Sequence, residues 1–330
     1  MATMTTDEIF ALADSTLRRF GADEANAGAV ARTIATAERD GSHSHGLFRL
    51  PGYVKALRSG RVKGDAVPTA VPMAAGILRV DGDEGFAPLA LEVMRDPLIE
   101  MTRAQGIAMC GVIRTHHFAA LWPEVEMLAD AGLVAMAMTQ AMPYVAPAGG
   151  REALFGTNPQ AFAWPRPGKP PLAFDQAAST MARGDVMIHR RDGQPVPVGV
   201  GLDGDGNDTT DPGAILDGGV QLAFGGYKGS AIALMVELMS SSLIGERFSH
   251  EAKAAHNGDG GPPIGGEFVL AIDPAAASGG DGWAAHGDSI LTRIEGMEGA
   301  RLPGARRHAN REAGTVPQVS DAVLEEIAAL

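Results

Sequence analysis

Ser44 and His45 are adjacent, and Arg49 follows four residues after His45. Histidine is the side chain best suited to exchange a proton near neutral pH, and a neighbouring serine hydroxyl can orient or relay that proton. Arg49 falls one helical turn further on, where its planar guanidinium could clamp a carboxylate with two parallel hydrogen bonds. Together these residues describe an acid plus an anion anchor. A plainer reading stays open, in which Ser44 caps the following helix and His45 satisfies a turn.

Three further places could hold an anion. His117, Phe118, Ala119, Ala120 and Leu121 open a helix directly after a strand, and small residues in a first turn let a phosphate approach the backbone N–H groups. An ordinary β–α turn reads the same way. Glycines surround Lys228 at another helix start, Gly225 to Ser230. Arg306, Arg307, His308 and Arg311 form the dense basic cluster of the last third, either a solvated face or the cation site for a phosphate.

The elements that must position these residues fall into two styles. Helical spacing covers Thr5 to Leu17, about Asp23 to Arg39, and a stretch from Leu47, with the polar turn Asp40–Gly46 pinned between the last two. From Ala75 strands and helices alternate: helix Phe86–Gln105, strand Ile107–Ile113, helix Phe118–Ala131, strand Leu133–Thr139, then strands Gln160–Trp164 and Pro171–Asp175. Gly199–Gly219 reads as a loop, Ser230–Ile244 as an apolar helix and Gly258–Gly266 as a second loop. Glu267–Asp273 reads as a strand, Pro274–Gly282 as a linker, and a last helix starts near Ser320. The domain expectation is a helical unit over residues 1–74, rejoined by a C-terminal helix at 315–330, with an α/β cofactor- and substrate-binding region over 75–314.

Two patterns imitate ligand motifs and fail on context. Gly199 to Gly204 matches G-x-G-x-x-G, but Asp205-Gly206-Asn207-Asp208 follows where a phosphate-binding helix must begin. Asp203, Asp205 and Asn207 start like a calcium loop, but Asp208 stands at the glycine position and Ala214 at the glutamate position. The pairs His43/His45 and His116/His117 lack the i, i+4 spacing of a helical metal site, and no metal is expected.

With 27 basic and 40 acidic residues the net charge is −13, which repels nucleic acid and anionic lipid. A phosphorylated cofactor must then be held by backbone amides and a few placed cations. The single cysteine, Cys110, lies in an apolar run and reads as a buried residue of a reducing, cytoplasmic protein. The start of the chain is acidic, and no apolar stretch reaches about 18 residues, so neither a signal peptide nor a membrane span is expected.

As a set the motifs resemble the type-2 malate/L-lactate dehydrogenase family of NAD(P)H-dependent oxidoreductases. The matching stretches are DGSHSHGLFRLPGY (40–53), HFAALWP (117–123), FGTNPQAFA (155–163), FDQAASTMARGDV (174–186), FGGYKGSAIALMVE (224–237) and RLPGARRHANR (301–311). They occur in family order over nearly the whole chain. Within the family the chain is most similar to the bacterial Δ1-piperideine-2-carboxylate/Δ1-pyrroline-2-carboxylate reductases. The resemblance implies an α/β fold whose cofactor site is not of Rossmann type, with the helical N- and C-terminal region packed on a mixed or antiparallel-sheet cofactor domain. It implies a proton relay of Ser44, His45 and Asp185 with His45 as donor, and substrate contacts from Arg49 and Thr157. It places the cofactor on His117, Phe118, Ala119, Ala120 and Leu121, on Asp175, Gln176 and Ala177, and on Lys228, Gly304, Arg306 and Arg307. The implied reaction is transfer of a hydride from NADPH, favoured over NADH through Arg306 and Arg307, to the imine carbon of a small cyclic imino acid. A homodimer is also implied. The competing enzyme is an NAD(P)-dependent 2-hydroxy-acid dehydrogenase acting on malate, L-lactate, sulfolactate or ureidoglycolate. A non-catalytic metabolite-binding protein is the alternative outside enzymes.

Overall fold

The computed structural model describes residues 1–117 and 120–330. The chain begins with helix α1 (Thr6–Arg19), whose N-terminus is closed reciprocally: the Thr5 hydroxyl accepts the Glu8 N–H at 3.2 Å and the Glu8 carboxylate accepts the Thr5 N–H at 2.8 Å. Helix α2 (Glu24–Arg39) is capped by Asp23, and α3 spans Leu50–Arg58. Ile9, Leu17, Val30, Ile34, Leu50 and Val54 turn one face of each helix inward. Val323 and Ile327 of the last helix, Asp321–Ala328, complete that core, and Gln318–Val319 pairs antiparallel with Ala2–Thr3.

Where spacing predicts one helix from Leu47, the structure has two short 3-10 turns, His43–His45 and Leu47–Arg49, ahead of α3. The reason is buried Glu38, which accepts the Leu47 N–H at 2.8 Å and lies 2.6 Å from His43 Nδ1. Its carboxyl fills the space a side chain at Gly46 would need. The turn carrying Ser44 and His45 is thus tied down from beneath.

The second core surrounds a seven-stranded mixed sheet. Its strands are β1 (Thr69–Ala74), β2 (Ile77–Asp81), β3 (Ile107–His116), β4 (Val134–Thr139), β5 (Gln160–Trp164), β6 (Leu172–Gln176) and β7 (Ile264–Ile272). They lie in the order β1-β2-β3-β7-β4-β5-β6, with only the β2/β3 pair parallel. Helices α4 (Ala87–Gln105) and α5 (Trp122–Asp130) pack Leu91, Met94 and Leu128 onto Val80, Val112 and Val269. Across the sheet Val236 and Ile244 meet Met138 and Phe268, so the central strand β7 is covered on both faces. The fold class is therefore the mixed α/β one expected. Because β1 belongs to this sheet, a boundary at residue 74 cuts a hairpin.

Two expected loops carry structure. Gly199–Gly219 holds a hairpin, Gly201–Leu202 with Asp208–Thr209, and a short helix, Pro212–Leu216; with Val220–Leu222 and Val145–Ala146 the strands make a four-stranded sheet. Asp203 accepts the N–H groups of Asp205 and Asn207 at 3.0 and 2.9 Å, and Gly206 takes φ +82°, so the apparent nucleotide fingerprint is a turn. In place of the expected linker from Pro274, helices run over Pro274–Ser278 and Gly282–Glu295. Asp273 caps the first, and Trp283 anchors the second edge-on against Trp164. Helices α6 (Arg183–Arg191), α7 (Tyr227–Glu237) and α8 (Ala305–Glu312) complete the surroundings of the site. Among the described residues, no helix is long and apolar enough to cross a membrane.

Candidate active site

A cavity of about 620 Å³ takes its walls from both cores, a size that encloses one small ligand. His45 and Arg49 reach it from the 3-10 turns; His117 and Gln140 from the ends of β3 and β4; Thr157, Asp175, Gln176 and Ala177 from the β4–β5 and β6 regions; Arg183 from α6.

The anion anchor and the imidazole share one short segment. Arg49 Nε donates to the Ser44 carbonyl at 2.8 Å, and Ser44 Oγ lies 3.3 Å from His45 Nδ1. Burial, then the charges of Arg49 and His117, pull the His45 pKa down to about 3. Burial also lowers that of Arg49, against the charges of Tyr53, Tyr144 and Asp185. Gly184 keeps the guanidinium in place: a Cβ there would stand 2.7 Å from Arg49 Nη2 and 3.0 Å from Ser44 Cβ. Asp185 does not line the cavity. It is exposed in the first turn of α6, and its charge acts on Arg49.

The expected cofactor residues divide. His117, Ala120, Asp175, Gln176 and Ala177 line the cavity, and Phe118 and Ala119 lie outside the described residues. Leu121 is buried and its amide is already taken, donating to Asp175 Oδ2 at 3.0 Å. The carboxylate of Asp175 thus stands at the α5 N-terminus where a phosphate was expected. Burial raises the Asp175 pKa, against the Leu121 amide and the charge of Arg307. Lys228 is exposed in the first turn of α7, off the cavity wall. Gly304, at φ +82°, caps α8; a Cβ there would sit 2.5 Å from the Ala173 carbonyl. The basic cluster separates: Arg307 donates to that carbonyl and lies over the Trp122 ring, Arg311 bridges Asp40 and Glu126, and Arg306 is exposed.

Several residues at the site were not singled out from sequence. Arg183 lies 3.9 Å from the Tyr144 ring centroid, and both line the cavity. Gln140 donates to the Ile264 carbonyl at 3.2 Å, and its buried Oε1 has no partner among the described residues. Asn158, beside Thr157, is fully buried at φ +40° and donates 2.9 Å bonds to the Ala233 carbonyl and Glu237 Oε1. His117, Glu124 and Glu267 bring ligand-type atoms within 4.8 Å of one another, the group among the described residues that could hold a metal ion. Of the histidine pairs, His43 is spent on Glu38, and His116 Nδ1 lies 2.9 Å from Arg61 Nη1. Glu267, immediately before the apolar run Phe268–Ile272, is the readable signal for the acidic group.

A nicotinamide dinucleotide fits these walls in part: the polar side chains of His117, Gln140, Thr157 and Gln176 line the cavity beside Ala120, Asp175 and Ala177. Comparison with known proteins agrees. The family model described as malate/L-lactate dehydrogenase matches residues 4–328. A Delta(1)-pyrroline-2-carboxylate/Delta(1)-piperideine-2-carboxylate reductase of Pseudomonas aeruginosa is 48% identical over 314 residues, covering 94% of this chain and 93% of the relative. A Delta(1)-pyrroline-2-carboxylate reductase of Pseudomonas fluorescens is 45% identical, covering 99% and 98%. The crystal structure of delta1-piperideine-2-carboxylate reductase from Pseudomonas syringae pvar. tomato superposes with a TM-score of 0.93 at 41% identity, covering 99% of each chain.

Proposed function

The chain belongs to the malate/L-lactate dehydrogenase family of oxidoreductases, and from that premise we propose that it is an NADPH-dependent reductase of cyclic imino acids. It would convert Δ1-piperideine-2-carboxylate to L-pipecolate and Δ1-pyrroline-2-carboxylate to L-proline. The observation that carries this reading is the pairing of His45 and Arg49 on one cavity wall, in a chain 48% identical to a reductase of that name.

Arg49 holds the substrate carboxylate, steadied by its bond to the Ser44 carbonyl, and Thr157 borders the ring. The nicotinamide supplies the hydride when bound. His117, Ala120 and Asp175 to Ala177 would hold it, with the exposed Arg306 as the cation for a 2′-phosphate. His45 delivers the proton to nitrogen, with Ser44 orienting its ring. In the free site burial and the charges of Arg49 and His117 hold His45 uncharged; a substrate carboxylate on Arg49 offsets one of those charges, so the imidazole takes up the proton it delivers once the substrate is bound. Protonation of the imine nitrogen makes the neighbouring carbon a better hydride acceptor.

The rest of the reading concerns setting. Tyr227, Leu234, Leu238 and Leu243 are exposed along α7 and the turn after it, an apolar strip that suits a second copy of this chain, and we propose a homodimer. A cytoplasmic setting accords with one buried, unpaired cysteine.

The test mixes enzyme and NADPH with each cyclic imine, pyruvate or oxaloacetate and follows loss of NADPH absorbance. Oxidation with the imines is expected, and oxidation only with the keto acids would sink the reading. His45→Asn should lose about 10²–10⁴-fold in turnover while still binding NADPH by fluorescence.

A further inference from the structure

Most of the basic cluster on α8 is already engaged. Arg307 donates to the Ala173 carbonyl and lies over the Trp122 ring, Arg311 bridges Asp40 and Glu126, and His308 Nε2 lies 2.9 Å from the Pro171 carbonyl. Arg306 is left, exposed and without a carboxylate partner among the described residues. A phosphate monoester carries about −1.5 to −2 charges near pH 7, and a chain of net charge −13 adds no general positive field. One exposed guanidinium is a weak site for such an anion, and a second cation beside it is needed.

The turn before Ser44 supplies that cation. α8 packs against this turn: Arg311 Nε donates to Asp40 Oδ1 at 3.0 Å, and a Cβ on Gly41 would stand 3.3 Å from Asn310 Nδ2. Arg306 lies one helical turn before Asn310, on the same side of α8, and its charge acts on the His43 ring. Glu38 takes only one nitrogen of His43, Nδ1, at 2.6 Å; the side chain is exposed, and Nε2 has no partner among the described residues. The bond to Glu38 raises the His43 pKa, against burial and the charge of Arg306, which favours the imidazolium with an N–H on each nitrogen. The cavity leads to the same place. Asp175 lines it from β6, and two residues earlier on that strand the Ala173 carbonyl lies against Gly304 at the head of α8.

We propose that His43 and Arg306 together hold the cofactor's 2′-phosphate, and that His43 is thereby a specificity-determining residue for NADPH over NADH. The inference rests on the reading above, which puts that phosphate on Arg306. Glu38 holds one N–H of the imidazolium and the phosphate accepts the other, a charge-assisted bond that the 2′-hydroxyl of NADH cannot match. The segment that carries Ser44 and His45 so touches the cofactor as well as the substrate.

The test reads binding, apart from turnover. By nucleotide fluorescence, His43→Gln should weaken NADPH about tenfold and leave NADH within about twofold, and His43→Arg should restore most of the NADPH affinity. In wild-type protein with nitrogen-15-labelled histidine, adenosine 2′,5′-bisphosphate should shift the ring signal that is missing from either variant, and adenosine 5′-monophosphate should not. An unmoved His43 signal would overturn the proposal, as would equal weakening of NADPH and NADH, which would mean that the turn alone had moved. Loss of discrimination in Arg306→Gln but not in His43→Gln would overturn it and leave the role of Arg306 standing. Unchanged discrimination in both variants would remove α8 from the cofactor site. None of these outcomes bears on the imine reading, which oxidation of NADPH by the cyclic imines decides separately.

Discussion

At the scale of single residues, the site is governed by what lies against Arg49. Its guanidinium is fixed on one side by the Ser44 carbonyl and bounded on the other by Gly184, where a Cβ would come within 2.7 Å of Nη2. A side chain there must displace either the guanidinium or Ser44, and with Ser44 the neighbouring His45. Displacements near 1 Å in a positioning group cost up to about 10²-fold. Gly184→Ala should therefore raise the KM for the imine by tens of fold, with a smaller change in the KM for NADPH, as steady-state kinetics would read. An unchanged imine KM would mean that Arg49 does not hold the substrate. The same residues show where sequence reading reached its limit. His45 and Arg49 were legible because their types and spacing are local. Asp185 was placed with His45 by motif alone, and in the folded chain it is exposed in the first turn of α6, where its charge acts on Arg49.

At the scale of elements, the connection from β4 to β5 depends on one residue in a conformation that L side chains rarely adopt. Asn158 sits at φ +40° and pays for it through bonds to the Ala233 carbonyl and Glu237 Oε1 of α7, which hold Thr157 at the cavity wall. Glu237 also accepts the Ser249 N–H at 3.0 Å, so three segments converge on one buried carboxylate. Asn158→Ala loses both bonds and keeps the strained backbone, at about 2–4 kcal/mol. Asn158→Gly loses the bonds but relaxes the strain, so it should cost less. Denaturant midpoints of the two variants check this, and equal losses would remove backbone strain from the account. Periodicity reveals α1, α2 and α4 because one face of each is apolar, and the central strands read as short apolar runs because both their faces are covered. It does not reveal the helix Gly282–Glu295, whose alanine- and glycine-rich start resembles a linker until Trp283 finds Trp164. Nor does it show that Asp175, distant in sequence, closes the α5 N-terminus and takes an amide expected to meet a phosphate.

At the scale of the whole molecule, acid stability should follow the buried histidines before the bulk of the carboxylates. His116 is 1% exposed, faces Arg61 and is pulled by burial, and then by that charge, from 6.5 to about 4. The folded protein thus holds it neutral while the unfolded chain protonates it, and stability falls as pH drops through the window from 6.5 to about 4. The loss from this one group is on the order of 3 kcal/mol. His45 acts in the same direction. Asp259, held low by its bonds to Arg61 and Ser59 despite partial burial, adds stability at and above the usual carboxyl range and loses it only as pH falls below that range, where its ion pair to Arg61 breaks. Glu124 works in the opposite sense, since its raised pKa favours the folded state below the ordinary carboxyl value and loses that contribution as pH rises. A variant comparison isolates the histidine from these terms. In urea titrations of wild type and His116→Asn, the stability advantage of the wild type should shrink by roughly 2–3 kcal/mol between pH 7 and pH 4. A gap that stays constant with pH would show that His116 titrates alike in the folded and unfolded chain. The window matters for the cavity because Arg61 ties His116 to Asp259 and the Pro262 carbonyl, and the adjoining Gly260, Gly261 and Pro263 form part of its wall. Protonating His116 places a second positive charge against Arg61 and loosens that wall before the fold as a whole gives way.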